Sequence, residues 1–187
     1  MHLQLIKESW NYEMLQELPH KQYLDFAVIF VMELQSTPEE KQSTNVTYEL
    51  QKMWGVSIED LWNAGMENLQ KEGVTLLNIE EITHGLLPED DLGMYAMTTE
   101  NMVRGAVSVL SEEVLKKFAE EKKADYYLLP SSMYEWILLK KTDDLDPVCL
   151  RLMVIESNSD PDKVRPEELL SDQIYIYERR TGKVRIA

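Results

Sequence analysis

General acid–base chemistry needs a group that gains and loses a proton near neutrality and a second group that orients it. His20 and Asp25, five positions apart with Lys21 between them, are the first pair in this sequence to fit that description. On this reading the imidazole is the base of a small hydrolase-like enzyme and the carboxylate holds it in place. The plainer alternative is that His20 caps the preceding helix, while Asp25, set in an apolar run, takes a charged partner or a raised pKa. Ser131 and Ser132, with Glu135 close by, offer hydroxyl nucleophiles, although serines beside a proline such as Pro130 ordinarily bond the local backbone of a turn. Cys149, next to Leu150, reads as a small core residue rather than a reactive thiol. Tyr126, Tyr127, Tyr134, Trp136, Tyr175 and Tyr177 make either an aromatic binding platform or ordinary cross-strand packing. The three histidines, His2, His20 and His84, stand far apart, and with one cysteine they assemble no metal site. No Gly-rich phosphate loop, His-Glu-x-x-His or Gly-x-Ser-x-Gly pattern occurs, so no cofactor is expected.

Composition narrows the classes of partner. A formal net charge of -15 over 187 residues repels nucleic-acid phosphates and anionic membrane surfaces, which leaves solubility or docking of basic proteins as its uses. Mimicry of DNA, as an inhibitor of a nucleic-acid-binding protein, is the extreme form of the second. Arg179, Arg180, Lys183 and Arg185 are the one basic cluster, suited to an ion pair with the acidic surface or with another copy of the chain. A single cysteine makes no internal disulfide and points to a reducing cytoplasm. The N-terminus lacks a signal-peptide core, and no apolar run nears the roughly 20 residues that span a bilayer. The length suits one domain.

The elements that must position these residues follow from periodicity. Leu3, Ile6, Trp10, Met14 and Leu18 fall at helical spacing, predicting a first helix closed by Pro19. Tyr23 to Leu34 is rich in β-formers and apolar on both parities from Phe26 to Met32, as a strand buried on both faces would be, with a buried helix as the competing reading. A loop over Gln35 to Ser43 precedes a short strand at Thr44 to Val46. Thr47 to Trp54 before Gly55, and the run capped by Ser57 and stopped by Gly73, are helices. After an acidic turn at Pro88-Glu89-Asp90-Asp91, Met94 to Thr98 and Ala106 to Leu110 form a hairpin. Ser111 opens a clear helix whose Glu113 and Lys117 stand at ion-pair spacing. Asp125 to Lys141, turning at Pro130-Ser131-Ser132, is a buried hairpin at the centre of the sheet. Asp146-Pro147 starts a last helix whose core face is Leu150, Met153, Val154 and Ser157. Asp172 to Glu178 and Lys183 to Ile186 close the chain as a third hairpin. Strands joined as hairpins and interrupted by isolated helices predict an α+β fold with a mainly antiparallel sheet, a mixed sheet being the fallback.

The blocks PHKQYLDFAVIF, KMWGVSIEDLW, ADYYLLPSSMYEWILL and LLSDQIYIYERRTGKV, in that order and at these spacings, resemble the domain-of-unknown-function family five-six-eight-eight of gut Firmicutes. The resemblance runs from about Leu15 to Val184 and is to the C-terminal part of a family whose members are longer at the N-terminus. The family commonly has a histidine where this chain has Tyr134, and a phenol does not replace an imidazole base at neutral pH. The resemblance implies a cytoplasmic bacterial protein and brings no activity, ligand or catalytic residue with it. The sequence therefore favours a non-enzymatic protein-interaction domain working through its acidic surface and sheet face, alone or as a homodimer. The His20/Asp25 enzyme and the acidic mimic are its alternatives.

Overall fold

Alternation decides the first element. In β1 (His2–Lys7) the side chains of Leu3, Leu5 and Lys7 are buried and those between them are not, a period of two that belongs to a strand. The computed structural model describes residues 1–36, 41–79 and 93–187. These divide into two compact units, Met1–Gly73 and Val74–Ala187, each with its own hydrophobic core. The predicted first helix is corrected accordingly. After β1 come a 3-10 turn at Glu8–Trp10 and one turn of helix, α1 (Tyr12–Leu15), with Trp10 and Met14 exposed. The helical spacing is met only by passing over Leu5, which the strand buries.

The predicted strand from Tyr23 divides in two. β2 (His20–Tyr23) turns through Leu24 and Asp25, with Leu24 at φ 55°, into β3 (Phe26–Ser36). Every side chain from Phe26 to Val31 is buried, as expected of a central strand covered on both faces. β1 pairs antiparallel with β3 on one side. β2, and then β4 (Lys41–Asn45), pair antiparallel with it on the other. Helices α2 (Tyr48–Trp54) and α3 (Ile58–Glu72) begin where the sequence places them. Thr47 caps α2, and Ser57 and Asp60 exchange hydrogen bonds as a capping box on α3. Gly65 of α3 lies directly against the side chain of Leu3, so α3 covers the β1 face of this sheet. Leu15, Leu18, Ala27 and Ile29 pack together as a core cluster with Ile6.

The second unit is built on a six-stranded antiparallel sheet. Its strands are β5 (Val74–Asn78), β6 (Met94–Thr99), β7 (Tyr126–Ser132), β8 (Glu135–Lys140), β9 (Tyr175–Glu178) and β10 (Lys183–Ile186), in the spatial order β10-β9-β7-β8-β6-β5. The hairpin β7–β8 is indeed its middle. Its turn is Met133-Tyr134 rather than Pro130-Ser131-Ser132, which belong to β7. The register shifts between Pro130 and Ser132, an irregularity where a residue without an N–H is tolerated. Helix α4 (Glu112–Lys122) sets Phe118 against Tyr126, while α5 (Pro147–Asn158) sets Leu150 and Val154 against Tyr127. Successive strand residues face opposite ways, so the two helices cover opposite faces. The predicted partner strand Ala106 to Leu110 is instead a wholly buried 3-10 segment, Gly105–Leu110. A short apolar run reads the same in either conformation, and here the buried indole of Trp136 selects one by donating to the Ala106 carbonyl, 2.7 Å. The chain is thus α+β with antiparallel sheets. Among the described residues no helix is long and apolar enough to cross a membrane. His84 and the acidic turn at Pro88-Glu89-Asp90-Asp91 lie outside the described residues.

Candidate functional site

The structure does not bring His20 and Asp25 together. His20 heads β2 opposite Ile29, and its Nδ1 lies 2.8 Å from the carbonyl oxygen of Leu18. Asp25 occupies the turn at the other end of the hairpin and accepts a hydrogen bond from the ammonium of Lys7. Lys7 is 9% exposed, ends the inward row Leu3, Leu5, Lys7, and holds its Nζ 5.5 Å from the ring centroid of Phe26. The carboxylate in an apolar run thus has a charged partner 18 residues upstream, supplied by the strand beside it. Sequence reasoning passed over Lys7 because a helical reading of the N-terminus leaves it no inward direction. The alternation His-Leu-Gln-Leu-Ile-Lys was the signal. Lys21 likewise forms an ion pair, its Nζ 2.6 Å from Glu59 Oε2 and 4.8 Å from the Trp62 ring centroid. What this region does chemically is hold cations on carboxylates and aromatic rings, as a frame.

Around the central hairpin the hydroxyls also have local work. Ser131 Oγ donates to Glu135 Oε1 at 3.1 Å, and Ser132 Oγ accepts from the Tyr134 amide at 3.1 Å. The six aromatics do not form a platform, Tyr127 being buried against Leu150 and Val154. Tyr126, Trp136, Tyr175 and Tyr177 are buried in the sheet's core, with Trp136 edge-on to Tyr175 at 5.4 Å and Tyr126 tilted against Phe118 at 4.9 Å. Only Tyr134 of that set is exposed. Its hydroxyl lies 3.4 Å from Glu168 Oε1, and burial, then the charge of Glu168, raises its pKa. Tyr177 has a buried hydroxyl with no hydrogen-bond partner, and its pKa too is raised, by desolvation first and by Glu120 and Glu112 after it.

The basic hairpin is partly neutralised within the chain, since Arg185 Nη2 lies 2.8 Å from Glu178 Oε1. His2 lies 3.5 Å from Glu33. Among the described residues no three His, Cys, Asp or Glu side chains converge as a metal ion would need.

Among the described residues, large apolar side chains are exposed on α2, at Tyr48, Met53 and Trp54, and on the outer side of α5. Val148, Leu152 and Met153 are 64%, 60% and 61% exposed, and Cys149 between them is exposed as well. Both Met153 and Cys149 are corrections, since the sequence reading put them in the core. Val148, Cys149, Leu152 and Met153 are apolar as well as Leu150 and Val154, so periodicity has no single apolar face to choose, and of these only Leu150 and Val154 are buried. The Cys149 thiol points to Asp146 Oδ2 at 3.4 Å, and that carboxylate holds its pKa above the usual value. Asp146 also caps the helix by accepting from the Val148 amide, 2.9 Å, so the apolar stripe starts beside a fixed acid.

A model of a protein family described as "Family of unknown function (DUF5688)" matches residues 1–179, which extends the likeness through β1 to the first residue. No curated protein and no solved structure matches the chain.

Proposed function

The chain belongs to that family of unknown function, and from this premise we propose that it is a non-enzymatic protein-interaction domain of the bacterial cytoplasm, binding its partner through the outer face of α5. The observation that carries this reading is the stripe of Val148, Leu152 and Met153, three large apolar side chains left in water along one helix. Contiguous apolar surface of this kind marks interaction sites, and each side chain contributes about 1 kcal/mol when a partner covers it. The partner is another protein or a second copy of this chain. Charged neighbours at Asp146 and Glu156 would rim the contact and set its orientation. The cytoplasmic setting accords with the acidic charge of -15 and with an exposed, unpaired Cys149, which a reducing compartment preserves.

The test is the double variant Leu152→Glu with Met153→Glu. Both positions face water, so the thermal midpoint should stay close to that of the parent chain. The parent should show concentration-dependent sedimentation, or retain a defined protein in affinity capture, and the double variant should do neither. Identical sedimentation and identical captured proteins for the two chains would overturn the proposal.

A further inference from the structure

Strand β10 ends the six-stranded sheet, bonded to β9 on one side and to no described strand on the other. Its register tells which backbone groups face outward. The Ala187 amide donates to the Ile174 carbonyl at 3.1 Å, and in the same register Arg185 stands opposite Ile176 and Lys183 opposite Glu178. Every second residue of an antiparallel ladder bonds the neighbour, so these three turn their backbone groups to β9, and Val184 and Ile186 turn theirs away. The Ile186 carbonyl is taken by Arg185 Nη1 at 3.0 Å. The amide and carbonyl of Val184 and the amide of Ile186 have no bonding partner among the described residues. Side chains alternate in step. Val184 and Ile186 lie on the face of Tyr177 and Tyr175, and Lys183 and Arg185 lie on the other with Ile176. Val184 is half-buried and the other three are exposed. Arg185 is tied to Glu178, and Asp125 accepts from the Arg179 amide at 2.9 Å, while the Lys183 ammonium makes no ion pair among the described residues. Residues 80–92, outside the described ones, stand in sequence between β5 and β6, the strands of the opposite edge.

We infer that β10 is a docking edge, where an extended segment of a partner protein adds to the sheet as a further strand, its side chains alternately acidic and apolar. The acids meet Lys183 and Arg185 on one face, and the apolar side chains continue Val184 and Ile186 on the other. A second copy is the wrong occupant. Pairing β10 with itself about Val184 sets Lys183 opposite Arg185, and like charges directly opposite are destabilising. The cations that bar a like strand, as edge lysines commonly do, admit an acidic one. This docking does not rest on the outer face of α5.

The full chain, labelled with nitrogen-15, is titrated with the end-blocked peptide Ser-Glu-Val-Glu-Val-Glu-Ser and, at equal ionic strength, with its analogue carrying Lys for Glu. Shifts should concentrate in 183–187 and 175–178, with a Kd on the order of 1 mM, and the Val184 and Ile186 amides should exchange more slowly once peptide is bound. The lysine peptide should bind about fivefold more weakly or worse. Val184→Pro removes one outward donor and no bond to β9, so it should keep the thermal midpoint and lose the peptide. Lys183→Gln, at an exposed position, should weaken the acidic peptide about twofold to fivefold, and it serves as the test should the proline variant misfold. No shift at about 10 mM acidic peptide, equal binding of the two peptides, or shifts centred elsewhere would each overturn the inference. So would protection of the Val184 and Ile186 amides that rises with the concentration of the chain alone, which is the mark of a second copy on this edge.

Discussion

Asp25 shows how a residue's chemistry can be inferred correctly from sequence while its partner is missed. A carboxylate inside an apolar run demands a compensating charge, and that demand was legible. That the charge is Lys7 and not His20 depends on strand register, which pairs Lys7 with Phe26 and sends His20 to the far end of the hairpin. Asp25→Ala leaves a buried ammonium without its carboxylate and should lower stability by about 2–3 kcal/mol, less than for a fully enclosed pair. Lys7→Met removes the charge at the more buried position and keeps the packing over Phe26, so it should cost less than Asp25→Ala. Chemical denaturation of both variants checks the order. Cys149 and Met153 went the other way, because the exposure of an apolar side chain on this helix is decided by what packs on it and not by residue type.

Among the elements, those announced by local chemistry agree best with the sequence. Thr47 and Gly55 bracket α2, Ser57 and Gly73 bracket α3, and Asp146-Pro147 opens α5, since caps act through hydrogen bonds a few residues long. The elements misread are those settled by distant partners: β1, which forms because β3 offers it an edge, and Gly105–Leu110, which lies where Trp136 and the hairpin turn need it. The α3 cap gives a prediction at this scale. Ser57 donates from its hydroxyl and its amide to Asp60 Oδ2, at 2.6 and 2.8 Å, and these bonds hold the Asp60 pKa below its ordinary 3.8. A folded-state pKa that is lowered contributes stability above the unfolded value, and the contribution is lost as pH falls through the folded one. Ser57→Ala removes the cap's hydroxyl and should lower the thermal midpoint at neutral pH. The gap between the two chains should narrow as pH is taken down through and below 3.8, as thermal melts across that range would show.

For the whole molecule, charge is the dominant quantity read from composition alone. At a net charge of -15 the folded chain repels itself, and the repulsion shortens its reach as salt is added, the screening length dropping from about 30 Å at 0.01 M to about 10 Å at 0.1 M. Raising sodium chloride across that interval should lift the thermal midpoint by about 2–4 °C, corresponding to about 1 kcal/mol for a chain of this length. A midpoint that falls with salt would mean that ion pairs such as Lys7 with Asp25 and Lys21 with Glu59 outweigh the long-range repulsion. The antiparallel class of the sheets was legible because hairpins announce themselves locally, whereas the order of strands across a sheet is written in contacts between residues far apart.

The turn at Met133-Tyr134 carries a kinetic consequence. Hairpin tips usually fray, yet three separate segments hold this one: Thr98 Oγ1 donates to the Tyr134 carbonyl at 2.7 Å, the Ala106 amide to Met133 at 3.1 Å, and the Met133 amide to the Glu168 carbonyl at 2.8 Å. Gly105 lies so close to Thr98 and the Tyr134 carbonyl that no side chain fits there. These bonds span 27 to 36 residues, so the turn is finished only after loops on both sides of it have closed. Strands β7 and β8 can find each other early through their local register, while their tip locks late. Thr98→Val, which removes the hydroxyl that holds the Tyr134 carbonyl, should then raise the unfolding rate and leave the folding rate almost untouched.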